Sequence, residues 1–115
     1  MADEAPGAGT VSIDDFRRLD LRVGTIVGAK DHPKADRLVI VEVDLGDERR
    51  QLVAGLKKYR TTDSLVGRQV VVVTNLPPAV LRGERSDGML LAVVAGESLA
   101  LLVPDAEVPP GSRVS

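Results

Sequence analysis

No cysteine occurs among the 115 residues, so the chain has neither a disulfide framework nor a thiolate metal site. His32 is the only histidine, and any Ser-His-Asp triad or histidine-based zinc site would have to be built around it alone. No nucleophile–base pair and no phosphate-cradling glycine motif accompany it, so an enzyme is not expected, and nothing calls for a cofactor. Aromatic residues are almost absent, with Phe16 and Tyr59 alone. The core must therefore be Val, Leu and Ile, a composition that leans towards strands. No apolar run approaches the ~20 residues of a membrane span. The opening MADEAPGAGT lacks the basic and apolar regions of a signal peptide. The expectation is one cytoplasmic domain with no membrane contact.

Charge is present but uneven. The formal net charge is −2. From Phe16 to Leu91 there are 14 Lys and Arg against 10 Asp and Glu, while the two ends hold one Arg against seven acids. A mildly basic middle between acidic ends is compatible with an anionic partner or with an ordinary solvated surface.

Residues 1–11 read as a disordered tail, and 12–115 as the folded domain. Ser12 and Asp15 have capping-box spacing, and Ile13, Phe16 and Leu19 share one face of a short helix. Asp20 to Lys30 alternates as a first strand, with Gly24 and Gly28 marking a bend or bulge. Leu38 to Leu45 and Gln51 to Ala54 form a hairpin. Thr61 to Leu65 makes one helical turn stopped by Gly67. Gln69 to Thr74 is a fourth strand whose four consecutive valines imply burial on both faces. Met89 to Val94 is a fifth, and Leu99 to Val103 a short sixth. Between the fourth and fifth lies a long loop, Asn75 to Leu91, with Pro77-Pro78, Arg82-Gly83 and Ser86-Asp87-Gly88-Met89. Five short strands with a helix after the third are the layout of an all-β oligonucleotide/oligosaccharide-binding (OB-fold) barrel. Here it carries an added short N-terminal helix and a C-terminal extension.

Several stretches then match one family in order and over about nine-tenths of the chain. They include Phe16 to Gly24 (FRRLDLRVG), His32 to Leu38 (HPKADRL) and Val53-Ala54-Gly55-Leu56 with Tyr59. Further on come Asn75-Leu76, Arg82-Gly83, Ser86, Gly88 to Leu91 and Val103-Pro104-Asp105. The chain resembles the tRNA-binding domain family. That family comprises small stand-alone tRNA-binding proteins, the C-terminal or separate β part of methionyl-tRNA synthetases, and a domain of the phenylalanyl-tRNA synthetase β chain. The resemblance implies the same barrel, a homodimer, tRNA as partner and an aminoacyl-tRNA synthetase as a possible associate. One departure is that Ala79 and Val80 stand where relatives often carry Lys or Arg. The CsaA-type secretion chaperones share the opening IDDFxxLDxRxGTI and the closing PDxxVPxG. They lack the HPxAD and SxGM patterns found here, which ranks chaperone activity second.

The candidate RNA-binding residues are Arg22, Lys57, Lys58, Asn75, Arg82, Arg85, Ser86 and Met89. Arg22, Arg82 and Arg85 are expected to neutralise phosphates, with Lys57 and Lys58 as a basic flank. Tyr59 is open to two readings, stacking a base or lying half-buried with its hydroxyl wet. Asn75 and Ser86 are candidates for a base edge or a ribose hydroxyl, and Met89 for packing on a splayed base. So few aromatics argue against single-strand binding by stacking and favour recognition of RNA shape. His32 is expected to hold its turn.

Overall fold

The computed structural model describes residues 9–115. The expected tail lies outside the described residues as far as residue 8. Two short helices and ten strands follow: α1 (Ile13–Arg17), β1 (Leu21–Asp31), β2 (Val39–Asp44), β3 (Arg49–Ala54), α2 (Thr62–Leu65), β4 (Gln69–Val73), β5 (Ala79–Leu81), β6 (Glu84–Ser86), β7 (Met89–Leu90), β8 (Ala92–Ala95), β9 (Ser98–Leu101) and β10 (Arg113–Val114). The main sheet is antiparallel in the order β3-β2-β1-β4-β7, with β10 also paired to β1. This is the nearly closed five-stranded OB-type barrel that the strand order implied.

β1 makes the barrel possible. It pairs with β4 over Leu21 to Thr25 and with β2 over Thr25 to Asp31, and its register with β2 shifts between Ile26 and Gly28. That bulge bends the strand and reverses which residues face inward. Before it, Gly24 and Ile26 point into the barrel; after it Ala29 does. Gly24 leaves no room for a side chain, since a Cβ there would collide with the Val43 side chain. Val39, Val41, Val43, Leu52, Val70 and Val72 complete the interior and are almost wholly buried. Each such burial contributes about 1.5–3 kcal/mol.

The helix after β3 forms as the sequence implies. Thr61 caps it by accepting from the Ser64 N–H at 3.3 Å, and Gly67, at φ +92°, ends it. Its Leu65 is fully buried beside Leu56 and plugs one end of the barrel. The four valines of β4 are buried on both faces, Val70 and Val72 within the core and Val71 and Val73 outside it. The C-terminal segment covers this outer side: the Val71 N–H donates to Leu102 O at 3.2 Å, and Gly111 N–H to Val23 O at 2.7 Å. The Gln69 amide acts as one more strand partner, donating to Val108 O at 2.7 Å and accepting from Val108 N–H at 3.0 Å.

Two expectations about the end of the barrel are corrected. Residues 75–91 are not a loop but carry the β5–β6 hairpin. Its tip is a two-residue turn with φ +52° at Arg82 and +90° at Gly83. Positive φ at both central positions is the type I′ geometry that matches strand twist. An arginine in the first of them hides the usual Asn-Gly signal. The fifth strand also breaks: β7 stays on β4, whereas β8 leaves the barrel to pair with β9.

β3 and β7 share no ladder, and the seam between them is closed by Ser86, Asp87 and Gly88. The Ser86 hydroxyl accepts from Val53 N–H at 3.0 Å and donates to Gly88 O at 3.0 Å, and Asp87 N–H donates to Gln51 O at 2.8 Å.

Gly24→Ala is expected to lower stability by about 1–3 kcal/mol through overpacking. The check is a urea unfolding curve, where the midpoint should fall with little change in slope.

Candidate nucleic-acid interface

The outer face of β1–β2–β3 follows from register alone. Gly28 and Lys30 lie opposite Glu42 and Ile40, Gln51 opposite Glu42, and Arg49 opposite Asp44. Val39, Val41 and Val43 face the core, so these residues face out. They line a hollow of about 400 Å³ that includes Lys30, Ile40, Glu42, Arg49 and Gln51. The β5–β6 hairpin borders it, with the Gln51 amide donating to Arg85 O at 2.8 Å. On the side of the β1–β2 turn, the Arg82 guanidinium donates to Lys34 O at 3.2 Å. Lys30, Lys34, Arg49 and Arg82 have no ion-pair partner among the described residues. Their charge is available to an outside anion.

The eight residues singled out from the sequence divide between this face and others. Arg82 belongs here, at the hairpin tip. Arg85 is exposed nearby but pairs with Asp87 at 3.4 Å. Lys57 is paired with Asp31, and Lys58 lies over the Tyr59 ring, 5.7 Å from its centroid. Tyr59 itself is half-buried. Met89 is half-exposed and lines a second, apolar hollow of about 380 Å³ with Leu76, Pro77, Leu81 and Val53. Gln51 borders the cationic hollow and Val53 the apolar one, so the two meet along β3.

Three placements differ from expectation. Arg22 does not join the outer face of β1–β2–β3: its register partners are Val72 and Arg113, and Val72 points into the core. It sits before the bulge, so its side chain turns to the open end of the barrel and bonds the Asp20 carboxylate through Nε at 3.1 Å. Asn75 stays exposed, yet its Oδ1 accepts from Asp20 N–H at 2.8 Å and its Nδ2 donates to Arg18 O at 2.6 Å. It fastens α1 to β1. Ser86 is 6% exposed and its hydroxyl is engaged in the seam. Conversely, Lys30, Lys34 and Arg49 were overlooked. Arg49 lay in an apparent turn, because β3 begins two residues earlier than its apolar part suggests.

The barrel end away from α2 is a charged plug. Asp20, Arg22, Glu48, Arg50 and Thr74 line it. The Thr74 hydroxyl, 2.7 Å from Asp20 Oδ2, and then Arg22 hold the Asp20 carboxyl below the usual carboxylate range. Arg50 does the same for Glu48, with Nε to Oε1 at 2.9 Å. Arg50 also donates to Thr74 O and, at 3.4 Å, to Asp87 O, so this end and the seam share one cation. Asp20 in turn pushes the Arg22 guanidinium still further above its ordinary range.

The molecule is a small OB-type barrel, with unpaired cations on and beside an outer face bounded by a turn and a hairpin. Residues 21–113 match the family model described as "Putative tRNA binding domain", and the chain belongs to that family. It is 60% identical over 104 residues to the methionine–tRNA ligase of Thermococcus kodakarensis, covering 90% of this chain and 14% of that enzyme. The chain thus spans about one-seventh of the curated relatives it matches. Among solved structures it is similar to the MetRS-related protein of Pyrococcus horikoshii, with a TM-score of 0.87 at 29% identity over 93% of this chain and 99% of that one. It is also similar to the chaperone CsaA of Bacillus anthracis, with a TM-score of 0.84 at 32% identity over 93% and 100% of the two chains.

The lowered Asp20 and Glu48 pKa values fix the sign of the acid response. Groups depressed by folding stabilise the native state above their unfolded pKa, and that contribution is lost as pH falls through the folded value. Stability is expected to be flat at neutral pH and to decline below about pH 4. In the double variant Asp20→Asn/Glu48→Gln, thermal melts should be less stable at pH 7 and nearly free of this acid limb.

Proposed function

We propose that the chain is a non-catalytic tRNA-binding module, reading tRNA by shape and phosphate contacts on the outer face of β1–β2–β3. The observation that carries this is four cations without carboxylate partners among the described residues, Lys30 and Arg49 on the outer face and Lys34 and Arg82 in the turn and hairpin beside it, in a domain of this family. Arg85 stands at the rim and can exchange Asp87 for a phosphate. The apolar hollow beside it, with Met89 half-exposed, suits one unstacked base. Relatives of this sequence are whole methionine–tRNA ligases, which supports a role beside a synthetase in the cytoplasm. There, raising the local tRNA concentration would aid a catalytic partner.

Chaperone activity is the second reading. It is favoured by the likeness to CsaA and by the same apolar hollow, which could take a side chain of an unfolded polypeptide. Aggregation protection of a denatured substrate that is not competed by tRNA would support it over the first.

Gel shifts or filter binding with tRNA and a plain RNA duplex test the main reading. Removing Lys30, Arg49 or Arg82 singly to Ala should weaken tRNA binding by several-fold each and lower the slope of log K against log salt by about 1. Glu42→Gln removes the carboxylate in the middle of the face and should tighten binding by a few-fold. Equal affinity for tRNA and duplex at low salt would defeat the assignment.

The proposal includes self-association. Ile13 and Phe16 of α1 are 60% and 41% exposed and, with Leu19 just beyond the helix at 39%, line a hollow with Val114. An apolar helix face of this kind is stable in water when a second surface covers it. Sedimentation equilibrium should give a dimer, and Phe16→Arg should give a monomer with its barrel intact.

A further inference from the structure

The HPKADR stretch supplies Lys34 to the cationic face, but its histidine has no part in that face. His32 is 6% exposed, one of three buried polar side chains among the described residues. The other two, Thr74 and Ser86, serve the charged plug and the seam. His32 serves neither. Its Nδ1 accepts from Lys34 N–H at 2.9 Å, so its proton resides on Nε2, which donates to Leu81 O at 3.0 Å. The first bond shapes the β1–β2 turn, which His32 N–H to Leu38 O and Leu38 N–H to Ala35 O also hold. The second crosses to the β5–β6 hairpin, 49 residues away.

That hairpin needs an anchor. It is a separate two-stranded sheet, and an isolated hairpin is marginally stable in water. Its base is held to β3 by Ser86, Gln51 and Asp87. Towards its tip, Gln51 also reaches the Glu84 carboxylate at 3.4 Å on the β3 side, and on the β1–β2 side the ties are the His32 ring on Leu81 and, one residue on, the Arg82 guanidinium on Lys34 O. Arg82 is also the one non-glycine with positive φ among the described residues, a conformation that costs of order 1 kcal/mol for a residue with a Cβ. The Arg82 guanidinium is thereby held against the backbone of Lys34, and neither residue has an ion-pair partner among the described residues. Like charges so placed repel until an anion arrives, and a fixed pair binds that anion without first being ordered.

We propose that His32 is a positioning residue for RNA binding: its ring clasps the hairpin to the β1–β2 turn and so holds Arg82 and Lys34 together as one phosphate-binding station. This rests on the tRNA reading above. It adds that the width of the groove is set by an internal hydrogen bond, not by the barrel alone.

Two amide variants of equal chemistry and different reach test it. In His32→Asn the side-chain oxygen still accepts from Lys34 N–H, but the side chain is too short to reach Leu81 O. In His32→Gln the amide N–H reaches Leu81. The full chain is titrated with tRNA over a salt series, with thermal melts alongside. Hydrogen exchange of residues 79–86 is measured as well. H32N should weaken tRNA binding about tenfold and lower the salt slope by 1 to 2, with faster exchange in the hairpin. H32Q should remain within about threefold of the parent. In the Lys34→Ala/Arg82→Ala background, H32N should add no further loss, because the clasp acts through those two cations.

If K34A/R82A weakens binding and H32N does not, the phosphate assignment stands and the clasp is overturned. The clasp is also overturned if H32N is tolerated and H32Q is not, which is the result of a role confined to the turn. It falls likewise if the H32N loss is additive with K34A/R82A. If K34A/R82A itself leaves tRNA affinity unchanged, the phosphate assignment fails and the station with it. Hairpin exchange still reports separately whether the hydrogen bond holds the strand.

Discussion

Barrel closure at the β3–β7 seam is the constraint on which the other features depend. A five-stranded sheet that twists but does not close leaves two rows of backbone groups unpaired. Here the last step is made without a ladder. The Ser86 hydroxyl takes the Val53 N–H, Gln51 O receives the Asp87 N–H, and Arg50 spans from Glu48 to the carbonyls of Thr74 and Asp87. Gly88 is required beside them: its φ is +152°, and a Cβ would lie 3.2 Å from both Val73 O and Val72 Cγ1. Because Ser86 ends β6, the same bonds that seal the core also fix the base of the hairpin that walls the outer face. Packing and site geometry therefore share their atoms in this region. A change at Ser86 would disturb both, so loss of binding there would not by itself identify an RNA contact.

Much of the fold was legible because its signals are local. The capping serine, the valine run of β4, the glycine after α2 and the strand–helix order all act over a few residues and appear where expected. The face of a given side chain was less legible. Alternation assigns Arg22 and Lys30 the same face, since they are eight residues apart. The bulge between Ile26 and Gly28 inserts one residue and reverses the phase, which sends Arg22 to the barrel end and Lys30 to the outer surface. The two glycines announced the bulge but not its position. The hairpin within 75–91 escaped for a related reason, since its turn uses Arg-Gly where the steric preference is for Asn-Gly. Contacts such as Asn75 with Asp20 or His32 with Leu81 join residues about 50 apart, and no local pattern encodes them.

Charge pairing explains how a chain of net charge −2 can present a surface to a polyanion. Four of the ten acids between Phe16 and Leu91 are committed to ion pairs. Asp20 and Glu48 hold Arg22 and Arg50 in the plug, Asp31 holds Lys57, and Asp87 holds Arg85. Further acids, Glu97, Asp105 and Glu107, lie in the C-terminal extension, beyond the face itself. At physiological salt the Debye length is about 8 Å, so a phosphate responds to the charges beside it and little to those across the domain. What matters is then the number of unneutralised cations within reach of one backbone segment. Lys30 and Arg49 on the outer face, and Lys34 and Arg82 in the connections beside it, are the cations available for this, with Glu42 and Asp44 as the opposing charges on the face.

Holding such cations together has a cost that the structure places in its turns. Four exposed side chains of one sign, left mobile, would separate and would lose conformational entropy on binding. Strand register removes that freedom for the backbones of Lys30 and Arg49, since both are fixed opposite β2. It does nothing for Lys34 and Arg82, which lie outside the main sheet. Their placement rests on hydrogen bonds of the turn and hairpin, and on the strained φ of Arg82. The interior of the barrel therefore determines half of the cationic face, and the contacts between its two outer connections determine the other half.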